Sequence, residues 1–121
     1  MPSKRILLIS RHAPYGTSRA REALDVALVA ATYDQDISLL FMDDGIFQLL
    51  KAQSPEDIHQ KNHAANLSAL PLYGIEKIYV HYESLEIRKI TTNDLILDNL
   101  QLLNNQDVSR LIQEQDQLLS F

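Results

Sequence analysis

Hydrophobic residues in this chain fall in short continuous runs separated by stretches of helical period. Within Lys4 to Ser10, the run Ile6-Leu7-Leu8-Ile9 is apolar without alternation. That pattern belongs to a strand buried on both faces, in a parallel sheet covered by helices. Pro14 and Gly16 break the chain, and Thr17 or Ser18 is placed to cap a helix reaching about Tyr33. Ala20, Ala23, Leu24, Ala27, Leu28 and Ala31 form its apolar stripe, while Val26, Val29 and Ala30 add a second apolar flank. Ile37 to Met42 repeats the strand pattern and Asp43-Asp44-Gly45 ends it. A short helical turn, Ile46-Phe47-Gln48-Leu49-Leu50, then carries four large apolar side chains, more than one face of such a turn can bury.

Ser54-Pro55-Glu56-Asp57 is a strong helix start, with Ser at the cap, Pro at the first position and acids in the first turn. Ala64, Leu67, Ala69 and Leu70 turn that helix to the core, and Pro71 with Gly74 stops it. Lys77 to Tyr82 is a third strand, after which Ser84 is placed to cap a short segment, Leu85 to Lys89. A fourth strand lies within Leu95 to Leu103. Asn104 or Asn105 caps a helix from about Gln106 to Gln115 with Val108, Leu111 and Ile112 inward, and Gln117 to Phe121 is a terminal strand. Strands alternating with helices predict an α/β fold, a three-layer sandwich around an open, mostly parallel five-stranded sheet. At 121 residues, with no repeat or linker, residues 1–121 read as a single domain.

In such sheets functional groups collect beyond the carboxyl ends of the strands. The segments to search are therefore Arg11–Thr17, Asp43–Gly45 and His81–Ser84, with His12, Tyr15, Asp44 and His81 as candidate crevice residues. The loop Pro14-Tyr15-Gly16-Thr17-Ser18 enters a helix N-terminus beside Arg11, Arg19 and Arg21, a place for an anion such as phosphate, but it lacks a glycine-rich fingerprint. His59 and His63 share a helix face at i and i+4 but lack a third zinc ligand. His81, Glu83 and Ser84 are close in sequence without a nucleophile elbow. Asp43-Asp44 reads as an acidic start to the following turn, stabilised by its dipole, rather than as a magnesium site. No cofactor or metal is expected from these residues.

Composition narrows the classes further. The chain has no cysteine, which excludes a disulfide framework, a thiolate metal site and any thiol chemistry of its own. A formal charge of −5 argues against direct nucleic-acid binding. No apolar run approaches the roughly 20 residues of a membrane span. The N-terminal stretch is too short for a signal-peptide core, so the expected location is the cytoplasm. Apolar side chains in excess of one core predict oligomerisation, with Val26, Val29, Ile46, Phe47, Leu49 and Leu50 as candidate interface residues. The same residues also fit an intramolecular core.

Three segments together resemble the TusC/DsrF family of sulfur-relay subunits. They are His12-Ala13-Pro14-Tyr15-Gly16-Thr17 with Arg21-Glu22-Ala23-Leu24-Asp25, then Asp43-Asp44-Gly45-Ile46-Phe47-Gln48-Leu49-Leu50, then Leu70-Pro71-Leu72-Tyr73-Gly74-Ile75-Glu76. A terminal Leu119-Ser120-Phe121 closes in the same style. The resemblance implies a DsrE/DsrF-like fold and a heterohexamer with TusB-like and TusD-like sister subunits. In that relay a persulfide passes from TusA to a TusD cysteine, then by TusE to the tRNA-thiolating enzyme MnmA, giving 2-thiouridine at the wobble position. Related DsrEFH complexes serve sulfur oxidation. Some members carry cysteine near the end of the third strand, where this chain has Tyr79-Val80-His81-Tyr82-Glu83-Ser84. No catalytic residue carries over. The resemblance therefore implies a non-catalytic structural subunit, against the alternative of a stand-alone homo-oligomer binding an anionic nucleotide or flavin at Arg11–Ser18.

Overall fold

The computed structural model describes residues 4–51 and 58–121, with the backbone alone for 58–62. The expected helix start at residues 54–57 lies outside the described residues. Five strands, β1 (Arg5–Ser10), β2 (Asp36–Phe41), β3 (Lys77–His81), β4 (Gln101–Leu103) and β5 (Gln117–Ser120), form one sheet in the order β4-β3-β2-β1-β5. Every pairing is parallel. Parallel neighbours need crossovers, and these are made by α1 (Arg19–Ala31), α2 (Ile58–Ser68), the six-residue α3 (Tyr82–Ile87) and α4 (Asn105–Gln113).

The continuous apolar strands are explained by helices on both faces. Ile6, Leu8, Ile37, Leu39, Phe41, Ile78 and Val80 pack on one face with Leu24 and Ala27 of α1, Leu67 of α2 and Leu85 of α3. Leu7, Ile9 and Leu40 point the other way, against Val108 and Leu111 of α4. Asn104 caps α4 reciprocally with Asp107, so the start anticipated at Asn104 or Asn105 is made by Asn104.

Two local expectations are corrected, at Ser18 and Ser84, and two others are sharpened. Ser18 stands at the start of α1 but makes no side-chain cap; its hydroxyl donates to Glu22 Oε1 at 2.8 Å. The fourth strand falls within the expected Leu95 to Leu103 but is only three residues long; Thr92–Asp94 forms a 3-10 turn before it, and Leu95 bridges back to Leu50. Ser84 caps nothing: α3 begins at Tyr82, and Ser84 lies buried inside it. On the flank expected to meet a partner chain, Val29 is 59% exposed in the single chain, whereas Val26 and Ala30 pack against the core.

The segment Asp43–Leu49 is a seven-residue 3-10 helix across the carboxyl ends of the central strands. Here the proposed interface set divides. Ile46 and Leu49 are fully buried in the chain's own core, so they are not available to a partner; Phe47 and Leu50 are half-buried. A 3-10 helix repeats every three residues, which turns positions 46 and 49 inward together and leaves position 47 on another side.

Candidate functional site

The three segments chosen for search do meet, and the Asp43–Leu49 turn is what joins them. Asp43 adopts a positive φ of 53° as the chain leaves β2. Its backbone N–H donates to Ser84 Oγ at 2.9 Å, and its carboxylate accepts from Arg11 Nε at 2.8 Å. Asp44 pairs with Arg88 at 3.0 Å, and the Arg88 guanidinium stands 6.0 Å over the Phe47 ring. The acidic pair is thus held by two ion pairs, to the loop after β1 and to the end of α3. Arg11, the cation nearest β1 for any anion at the 11–18 loop, already has a carboxylate partner.

Gly45 explains itself sterically. A Cβ at this position would lie 1.9 Å from the Ser10 carbonyl oxygen, so only glycine lets the turn close on the end of β1. Three residues on, the buried Gln48 seals the contact. Its Nε2 donates to Ser10 Oγ at 2.6 Å and to the His12 carbonyl at 2.9 Å. With its NH2 group so used, Gln48 Oε1 accepts from His63 Nε2 at 2.9 Å, which fixes a proton on that nitrogen. Burial pushes the His63 pKa below its ordinary value, opposed in part by the charge of Asp25. Beside this network Ala20, Ala23, Leu24, Leu39, Phe41 and Leu67 line a small crevice with Ser10 and Gln48.

A second network lies at the end of β3. His81 Nδ1 and Ser84 Oγ are 2.6 Å apart, and His81 Nε2 is 2.6 Å from Asn105 Oδ1 and 3.1 Å from Glu83 Oε2. A Ser–His–acid set invites a hydrolytic reading, but the geometry denies it. Ser84 is 2% exposed, inside a helix, and its oxygen already accepts the Asp43 N–H. A nucleophile needs an open approach to its substrate, and Ser84 has none.

Of the four crevice candidates, Asp44 and His81 belong to these networks. His12 and Tyr15 are exposed, and His12 takes part through its carbonyl alone. No ion pair or hydrogen bond among the described residues links the four to one another. His63 was singled out with His59 for helical spacing; its partner in the structure is Gln48. Gln48, Ser10 and Asn105 carry much of the geometry and none was a sequence candidate. A buried glutamine among apolar positions was the available signal at 48. Among the described residues no group of three His, Asp or Glu side chains converges as a metal site, and no helix is long and apolar enough to cross a membrane.

The turn that organises this end of the sheet is the Asp-Gly-Ile-Phe-Gln-Leu-Leu segment of the sequence, and comparison with known proteins places it in a family. The DsrE/DsrF-like family model matches residues 4–121. The chain belongs to the DsrE/DsrF-like family. A protein TusC homolog of Pseudomonas aeruginosa is 40% identical over 119 residues, spanning 98% of this chain and 99% of that protein. The intracellular sulfur oxidation protein DsrF of Allochromatium vinosum is 37% identical over 131 residues, spanning 98% of this chain and 96% of that protein. The fold agrees with the crystal structure of the ychN protein of Escherichia coli, at a TM-score of 0.79 and 21% identity over 98% of this chain and 99% of that one. These are relatives of a sulfur-relay subunit family. Within this DsrE/DsrF-like chain, the turn's Gly45, Gln48, Ile46 and Leu49 have structural duties that account for those residue types without any catalytic role.

Proposed function

We propose that the chain is a non-catalytic structural subunit of a TusBCD-type sulfur relay, passing persulfide sulfur towards 2-thiolation of wobble uridine in tRNA. One observation carries the reading: near-full-length similarity to a TusC homolog in a chain without cysteine. A relay station needs a thiolate as nucleophile and persulfide host, and a chain without one acts through surfaces. TusB-like and TusD-like sister chains are the partners of this reading, with the thiol on the TusD-like chain. TusA, TusE and MnmA are indirect partners in the relay. The setting is the cytoplasm, and the whole of residues 1–121 acts as one domain. Val26, Val29, Phe47 and Leu50 remain the proposed contact residues, since each retains surface that the chain's own core does not cover. His12, Tyr15, Asp44 and His81 line the carboxyl end that would face the relay.

Co-expression with the candidate sister chains tests the assembly. A stable complex containing a cysteine-bearing partner is expected, and Phe47→Asp is expected to weaken it while the isolated chain stays folded. Failure to recover any complex overturns the reading. Loss of 2-thiouridine from tRNA nucleosides on deletion of the gene, measured by mass spectrometry, tests the pathway. Similarity to an intracellular sulfur oxidation protein favours a second destination for the same subunit. Intact 2-thiouridine with impaired sulfur oxidation in the deletion strain would select it.

A further inference from the structure

We propose that His81, Glu83 and Asn105 form a binding site for a borderline transition-metal dication, with Zn2+ as the type. The starting point is an oxygen without a hydrogen bond. Glu83 Oε2 is buried and accepts none, although it lies 3.1 Å from His81 Nε2. The ring nitrogen is directed instead at Asn105 Oδ1, 2.6 Å away. A carboxylate oxygen removed from water without a partner is costly. One N–H cannot serve both oxygens, whereas one cation can.

The supporting geometry is that of a metal-binding histidine. Such imidazoles bind through one nitrogen while the other is held by a hydrogen bond that fixes ring orientation. His81 Nδ1 is held by Ser84 Oγ at 2.6 Å, and Ser84 is itself fixed by the Asp43 N–H at 2.9 Å. Binding leaves Nε2 as the free lone pair, with Nδ1–H donating to Ser84. The His81 side chain is 12% exposed, so the ring has little freedom to lose. Bonds of about 2.0–2.2 Å to zinc place neighbouring donors somewhat over 3 Å apart. Glu83 meets that spacing, and the exposed Asn105 has room to draw back to it.

Donor type sets the metal. One imidazole with one carboxylate and one carboxamide favours zinc and its neighbours over magnesium or calcium, which take oxygen alone. The helix N-termini of α3 and α4 oppose a cation here, and the Glu83 charge offsets them. Three protein donors leave a fourth position for water or for a donor from another molecule.

The test is a Zn2+ titration of the full-length, tag-free chain against a chromophoric chelator, with Co2+ absorption as a second readout. One metal per chain is expected, weakened about tenfold or more by His81→Ala and by Glu83→Gln. Glu83→Gln keeps the side-chain shape and guards against a folding defect in the histidine variant. His63→Ala, which removes the imidazole bonded to Gln48, is expected to leave binding unchanged. Absence of stoichiometric binding overturns the site, as does binding that survives His81→Ala or disappears with His63→Ala.

Discussion

One buried serine ends β1 and another lies in α3 just past β3, and the same turn reaches both in different ways. At Ser10 the contact is neutral and closed: Gln48 donates to the hydroxyl, and His63 donates to Gln48. At Ser84 the contact opens outward through His81 to Asn105 and a carboxylate, with ion pairs at its rim. The inner anchor has packing, hydrogen bonds and one desolvated imidazole to change. The outer one holds titratable and charged groups within reach of solvent. The difference separates residues that hold the fold from residues with chemistry to spare, and substitutions on each side make it measurable.

The inner anchor carries the largest effects. Gly45→Ala drives a methyl group into the Ser10 carbonyl at 1.9 Å. Backbone cannot yield there without parting the turn from β1, so a loss of about 3 kcal/mol or more is expected, beyond ordinary overpacking. Denaturant melts of the purified chain check it, and a stability within 1 kcal/mol of wild type would refute the close approach, a threshold set by typical surface substitutions. Leu49→Ala comes next. Leu49 is fully buried, and truncation of such a residue costs about 2–5 kcal/mol. Phe47→Ala, in the same turn but half-buried, is expected to cost clearly less in the same melts.

Those two positions also show how far the sequence could be read. The sheet was legible because Ile6 to Ile9 and Ile37 to Phe41 are apolar without alternation, which only a doubly covered strand tolerates. The turn was legible as apolar in excess, but not which side chains are in excess. A 3-10 period of three and an α period of 3.6 send positions 46 to 50 to different faces, and the sequence does not choose between them. The serine and glutamine contacts were hidden for another reason. Ser10–Gln48 spans 38 residues and Asp43–Ser84 spans 41, so each exists only once the parallel crossovers are made. Ser84 read as a helix cap because capping is a local rule, and its real partner is remote.

A smaller effect comes from pH and tests the inner anchor again. Burial holds the His63 pKa below its ordinary 6.5, with the charge of Asp25 acting the other way. As pH falls through that value the unfolded chain takes up a proton before the folded one. Stability is therefore full above the unfolded pKa, declines below it, and levels off once the folded ring also protonates. His63→Gln keeps a donor for Gln48 and removes the titration, so its melting temperature should lose that part of the acid slope. An unchanged slope would mean that the ring is not desolvated as its contact with Gln48 implies.

The smallest effect belongs to the rim. Asp44 and Arg88 meet at 3.0 Å, but the Asp44 side chain is 61% exposed. Water and salt screen such a pair, and its loss in Asp44→Asn is expected to cost under about 1 kcal/mol, less at high ionic strength. Arg88 keeps its place over Phe47 and its bond to the Ser84 carbonyl at 3.3 Å, so it stays put without its carboxylate. Asp43→Asn should cost more, despite a similar ion pair of 2.8 Å to Arg11. Its φ of 53° and its N–H to Ser84 tie the residue to the buried network. Asparagine accepts that φ nearly as well as aspartate, so the backbone bond should survive and the excess should be modest. A double-mutant cycle with Arg11→Gln would then assign what remains to charge. If Asp43→Asn and Asp44→Asn proved equal, the substitution at 43 would cost no more than its ion pair, with the backbone bond to Ser84 intact.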